Sequence, residues 1–79
     1  MNMIPVTSSN IHSVGYEGTT LAVLFHSGGL YEYYGVPQSV HSSLMNASSK
    51  GGYLAAHIKG VYRYRRAVSY THLTLPTTS

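Results

Sequence analysis

Two apolar, aromatic runs flank a Ser27-Gly28-Gly29 turn in residues 21–34, LAVLFHSGGLYEYY, and no other stretch constrains the fold as much. The pattern is that of a β-hairpin whose loop needs a positive φ, which glycine adopts without a Cβ clash. A three-residue loop of Ser27-Gly28-Gly29, with Gly29 left-handed as a bulge, pairs Phe25 with Tyr31 and Val23 with Tyr33. A two-residue loop would set Tyr31 and Tyr33 opposite Leu24 and Ala22, on the other face. The three-residue loop is the expectation, because it gathers the bulkier residues on one side. It makes the Tyr31-x-Tyr33 pair core packing.

Upstream, Pro5 favours an extended start, Ser8-Ser9-Asn10 favours side-chain-to-backbone turns, and residues 11–16 read as a strand. With Glu17-Gly18-Thr19-Thr20 as the turn, Tyr16 opposes Leu21, Val14 opposes Val23 and His12 opposes Phe25. Downstream, Val36-Pro37 opens a helix in which Val40, Leu44 and Ala47 recur at i, i+4, i+7. Ser48-Ser49-Lys50-Gly51-Gly52 breaks it, and either serine can cap the next element. Leu54, Ile58, Val61 and Tyr62 again have helical spacing, weakened at Gly60 by about 1 kcal/mol relative to alanine. Tyr62, Arg63, Tyr64, Arg65 and Arg66 fit either its last turn or an extended exit.

These elements predict an α+β fold: a three-stranded antiparallel β-meander (about 11–16, 20–26 and 30–34) covered on one face by two short helices (about 37–47 and 52–63). A chain of 79 residues without cysteine must hold such a fold by packing alone, and its eight tyrosines supply much of the area. No apolar run approaches the roughly 20 residues of a membrane span, and no basic-then-apolar leader is visible. The expectation is a cytoplasmic protein with no membrane contact.

Catalysis has little to work with. There is no aspartate, the two glutamates (Glu17 and Glu32) are a strand apart, and no nucleophile elbow accompanies the serines and histidines. His12, His26, His41, His57 and His72 lack metal-ligand spacing. Neither Ser27-Gly28-Gly29 nor Lys50-Gly51-Gly52 is a Walker-type phosphate loop; both read as turns. The expectation is no enzyme, no metal and no cofactor. What stands out is charge placement: Lys59, Arg63, Arg65 and Arg66 are four of the five cations and fall within eight residues. Such a cluster suits phosphates, and equally the solvated end of a helix.

The run from Val6 to Arg66 resembles a KTSC domain. The matching pieces are Ser8-Ser9-x-Ile11, Val14-Gly15-Tyr16, Leu21-x-Val23-x-Phe25 and Gly29-x-Tyr31-x-Tyr33. Val36-Pro37, Ala47-x-Ser49-x-Gly51, Ile58 and Tyr62 complete the match. That module is named for its place at the C-terminus of some lysyl-tRNA synthetases and also occurs as stand-alone bacterial and phage proteins. The resemblance implies a link to RNA. It gives residues 1–66 as one domain and 67–79 as a non-domain tail. Within that tail, residues 68–77 (VSYTHLTLPT) resemble a translation of the transposon-end adapter used for sequencing libraries, and they are excluded from fold reasoning.

The expected function is therefore a small non-catalytic binding module, with RNA met by Lys50, Lys59, Tyr62, Arg63, Tyr64, Arg65 and Arg66. The sheet face opposite the helices is expected to show Ser13, Ala22, Leu24, His26, Glu32 and Tyr34, one negative charge and no cation. That makes it a poor RNA platform. The alternative is a protein partner or a second copy, docking on that open face or a sheet edge.

Overall fold

Four successive antiparallel pairings, not two, build the sheet in the computed structural model, which describes residues 2–67. Its strands are β1 (Met3–Pro5), β2 (Ile11–Glu17), β3 (Thr20–Phe25), β4 (Leu30–Tyr33) and β5 (Tyr64–Ala67), in that spatial order. Helix α1 (Gln38–Asn46) and helix α2 (Lys50–Tyr53), which continues as a π-helical turn (Leu54–Ile58), lie between β4 and β5 in the chain. The fold is α+β as expected, but the sheet has five strands. The adapter-like residues 68–77 lie outside the described residues.

The two extra strands are the edges. β1 has three residues, pairs Ile4 with Val14, and ends on Pro5, which an edge strand tolerates because its outer side needs no donor. β5 settles the ambiguity after Gly60 in favour of the extended exit. The π-turn closes with Lys59 N–H donating to Leu54 O at 2.7 Å, and Gly60 then takes φ 81°. That left-handed residue ends the helix and sends the chain back to the sheet. The second helical segment thus covers 50–58 where 52–63 is expected. Lys50-Gly51-Gly52 is its first turn and not a break, capped by Ser49 Oγ, which accepts from Gly52 N–H at 3.2 Å.

The β3–β4 loop is three residues long but slides by one, to His26-Ser27-Gly28. Phe25 N–H donates to Gly29 O and Gly28 N–H to Phe25 O, both at 2.9 Å, and Gly28 carries φ 100°. Gly29 has no positive φ and is buried, with a hypothetical Cβ only 3.3 Å from the Tyr31 ring. The pairs are therefore Val23 with Tyr31 and Leu21 with Tyr33. This shift of two residues from the expected register leaves every side chain on its expected face. Phe25 and Tyr31 still touch diagonally, edge to face, with centroids 5.6 Å apart.

A bulge changes β2. Ile11 opposes Phe25 while Ser13 opposes Leu24, so His12 is the extra residue. The expected alternation put His12 on the core-side face and Ile11 on the other; the bulge instead buries Ile11 completely and leaves His12 exposed. Hydrophobic burial favours that exchange, because an imidazole loses hydration that isoleucine never had. Ser8 Oγ accepts from Asn10 N–H and Ile11 N–H and sets the approach to the bulge.

The core lies between one sheet face and the helices: Ile11, Val14, Leu21, Val23 and Tyr33 meet Val36, Leu44, Leu54 and Ile58. Tyr16 fastens α1 to the sheet by donating to Val36 O at 2.6 Å and stacking on His41. The opposite face differs from expectation. Ser13 and Ala22 are buried at 2 % exposure, and Glu32 is paired with Arg65 at 3.2 Å and accepts from Tyr34 Oη–H. No helix among the described residues is long and apolar enough to cross a membrane.

Candidate nucleic-acid interface

Strand alternation decides where the basic, aromatic segment points. β4–β5 pairing sets Tyr64 opposite Tyr33 and Arg66 opposite Tyr31, all on the helix side, and Arg65 opposite Glu32 on the other. Tyr64 is 58 % exposed and leans on both β4 tyrosines, its ring centroid 5.9 Å from Tyr31 and 5.7 Å from Tyr33. The Arg66 guanidinium lies 5.9 Å from the Tyr31 centroid, within cation–π range. Tyr33 is only 3 % exposed, and burial, then the neighbouring tyrosines, push its hydroxyl above the usual phenol range.

Opposite this aromatic row, the π-helical turn carries Leu54 and Ala55, and Lys59 follows it. Between the two runs an open groove of about 760 Å³. Phe25, Tyr31, Tyr33 and Tyr64 give it an aromatic floor, Lys59 a cationic rim, and Asn10 and His26 polar edges. Among the described residues no carboxylate lines it. His26 is fixed there by donating from Nε2 to Ser8 O at 2.9 Å, with its ring edge-on to His12. Among the described residues that line the groove no serine hydroxyl is bonded to an imidazole, and no three His or Glu side chains among the described residues gather as metal ligands. The geometry suits a flat ligand with negative charge nearby.

The expected site residues are thus divided. Lys59 and Tyr64 line the groove, and Arg66 sits over its floor. Arg65 is on the far face, and Arg63 is exposed just before β5, its carbonyl accepting from Tyr34 N–H. Tyr62 packs half-buried against the core. Lys50 is in a neighbouring hollow, donating to Ala47 O at 3.1 Å. Tyr33 belongs to the core cluster and also lines the groove, and the half-buried Tyr31 beside it lines the groove and packs against that cluster. Sequence reasoning missed Phe25, Asn10 and His26 as groove residues. Phe25 read as core, and the others meet the groove only because of the bulge and the slid loop.

Relatives fit this frame. The family model for the KTSC domain matches residues 7–62. Lysine–tRNA ligases of Trichormus variabilis and of a Nostoc species are each 45 % identical over 60 residues, 73 % of this chain and 11 % of the ligase. The chain thus spans about a ninth of those relatives' length. An uncharacterized protein of Stutzerimonas stutzeri is 39 % identical over 69 residues, 84 % of this chain and 97 % of its own. The crystal structure of a KTSC domain protein from Yersinia pestis matches with a TM-score of 0.82 at 38 % identity, over 85 % of this chain and 97 % of that one. With its sequence and its fold both matched in this way, the chain belongs to the KTSC domain family.

Proposed function

We propose that this chain is a non-catalytic module that binds single-stranded RNA across the groove between β4, β5 and the π-helical turn. The observation that carries the reading is the groove's lining: aromatic faces beside Lys59, with no carboxylate among the described lining residues, and Arg66 close by over the Tyr31 ring. Every base has a π-face to stack, and cations at the rim meet phosphates without reading sequence. The ligases that share this segment act on an RNA, by their name, which supports the same ligand class. Strand addition by a protein is the competing reading, and the edges oppose it: β5 carries Arg65 and Arg66, and β1 ends on Pro5.

The test is a titration of the chain with a short fluorescent single-stranded RNA at several salt concentrations. Affinity should fall with salt at a slope of about −0.7 per phosphate contacted. Lys59→Gln and Arg66→Gln should each make the slope shallower by about that amount. Absence of binding at low salt would remove the proposal, and salt-insensitive capture of a protein would favour its competitor.

A further inference from the structure

We infer that the site holds one unstacked nucleotide in two compartments, its base in the aromatic groove and its phosphate in an adjoining hollow beside Lys50. This rests on the RNA reading and names what that reading leaves open. The hollow measures about 140 Å³, room for about five waters at ~30 Å³ each. Its wall is built from the hydroxyl-bearing residues Thr7, Ser8, Ser9, Ser48 and Ser49 together with Lys50. Among the described residues no carboxylate lines it either. Ser9, Asn10 and Gly51 line both compartments, so the two adjoin across a shared wall.

Two features suit the hollow to an anion. Among the described residues Lys50 is the one cation that is half-buried; the other four are exposed. Its Nζ donates to a neutral carbonyl, Ala47 O, which leaves its charge uncompensated by that contact and two N–H donors to spare. Two of the serines keep a donor as well: Ser8 Oγ accepts from Asn10 and Ile11 N–H, and Ser49 Oγ accepts from Gly52 N–H, which leaves each hydroxyl hydrogen able to donate. Gly51 and Asn10 pack closely in that shared wall: a Cβ on Gly51 would come 3.2 Å from Asn10 Nδ2, so a larger residue would press on the side chain between the compartments.

An aromatic floor, a shared amide-bearing wall and a hydroxyl-and-ammonium hollow match a flat base joined through a sugar to a phosphate. An acidic peptide would use the cations but leave the stacking floor unused. A free aromatic ligand would leave Lys50 unmatched.

Three titrations of the full chain, followed by backbone amide chemical shifts, test the inference: adenosine 5′-monophosphate, adenosine and inorganic phosphate. The monophosphate should shift both groups of amides, around Tyr31 and Tyr64 and around Ser9, Ser49 and Lys50. Phosphate should shift the second group and adenosine the first. With the short RNA, Lys50→Gln should flatten the salt slope by about 0.7 and Tyr64→Leu should weaken binding about 5- to 150-fold. RNA binding that survives Lys50→Gln unchanged, with no phosphate shifts at Ser9 or Ser49, would overturn the two-compartment inference and leave RNA binding standing. No RNA binding at low salt would overturn both. Displacement of the RNA by polyglutamate as readily as by unlabelled RNA would overturn the nucleotide in favour of an acidic peptide.

Discussion

Replacing Ile11 with valine and His12 with alanine, separately, measures whether the β2 bulge is present in solution. Ile11 is completely buried against Phe25 and the core, so Ile11→Val removes one buried methylene. The transfer term is about 0.8 kcal/mol, and partial collapse of the cavity brings the expected cost to about 1 kcal/mol. His12 is exposed and touches His26 edge-on at 5.5 Å and Ser13 Oγ at 3.1 Å, so His12→Ala should cost about 0.5 kcal/mol or less. The milder valine is chosen because Ile11→Ala, at about 2–5 kcal/mol, could exhaust the roughly 3–10 kcal/mol of a domain this small. Urea unfolding followed by circular dichroism reads both. With a slope of about 1 kcal/mol per molar urea, the midpoint should fall by about 1 M for Ile11→Val and about half that or less for His12→Ala. A larger loss for His12→Ala would mean that the imidazole fills the core and the strand runs without a bulge. Asn10 and Ser9 would then lose the placement that gives the groove its polar wall.

Local geometry sets three further expectations. His41 is half-buried, stacked on Tyr16 at 4.4 Å, and desolvation lowers its pKa below the ordinary 6.5. The folded state therefore favours neutral imidazole. Its share of stability is complete above about pH 6.5 and lost as pH falls through the depressed value, so melting temperatures should drop below about pH 6.5 and drop less in His41→Gln. Gly28→Ala forces φ 100° on an L side chain and should cost about 1–2 kcal/mol in chemical unfolding, even though open space surrounds its Cβ position. Arg66→Gln and Arg65→Gln remove the same charge from opposite sheet faces. Arg66→Gln should flatten the salt slope of RNA binding more than Arg65→Gln, and equal effects would mean that net charge alone drives binding.

The hairpin, the helix-side core and the order of elements were legible from periodicity, because Val14, Leu21, Val23, Leu44, Leu54 and Ile58 keep strand or helix spacing. The edges were not. β1 is three residues with a proline, too short for alternation to register, and β5 is one tyrosine, two arginines and an alanine, with no apolar stripe to mark it. Its strand character comes from β4, whose other side needed a partner for its N–H and C=O groups. The bulge at His12 escaped because alternation assigns faces without knowing which residue is skipped. Of the site, the cations were visible as a cluster in one dimension. Only pairing with β4 separates Arg65, committed to Glu32, from Arg66 over Tyr31.

That pairing also explains how one Tyr-x-Tyr motif serves two ends. Tyr31 and Tyr33 share a face, and their difference in burial comes from what lies above them. Tyr33 is buried in the cluster with Val36, Leu44, Leu54 and Ile58 and only borders the groove, whereas Tyr31 keeps part of its surface open there, beside Lys59 and the π-helical turn. A regular α-helical turn would advance about 100° per residue from Leu54 to Lys59; the wider i→i+5 turn slows that advance and re-aims the residues beyond it. Gly60 then reverses the chain so that Tyr64 and Arg66 return beside the very tyrosine left uncovered. Core and candidate site thus share one aromatic row, and the irregular turn above it sets how much of each ring is left open.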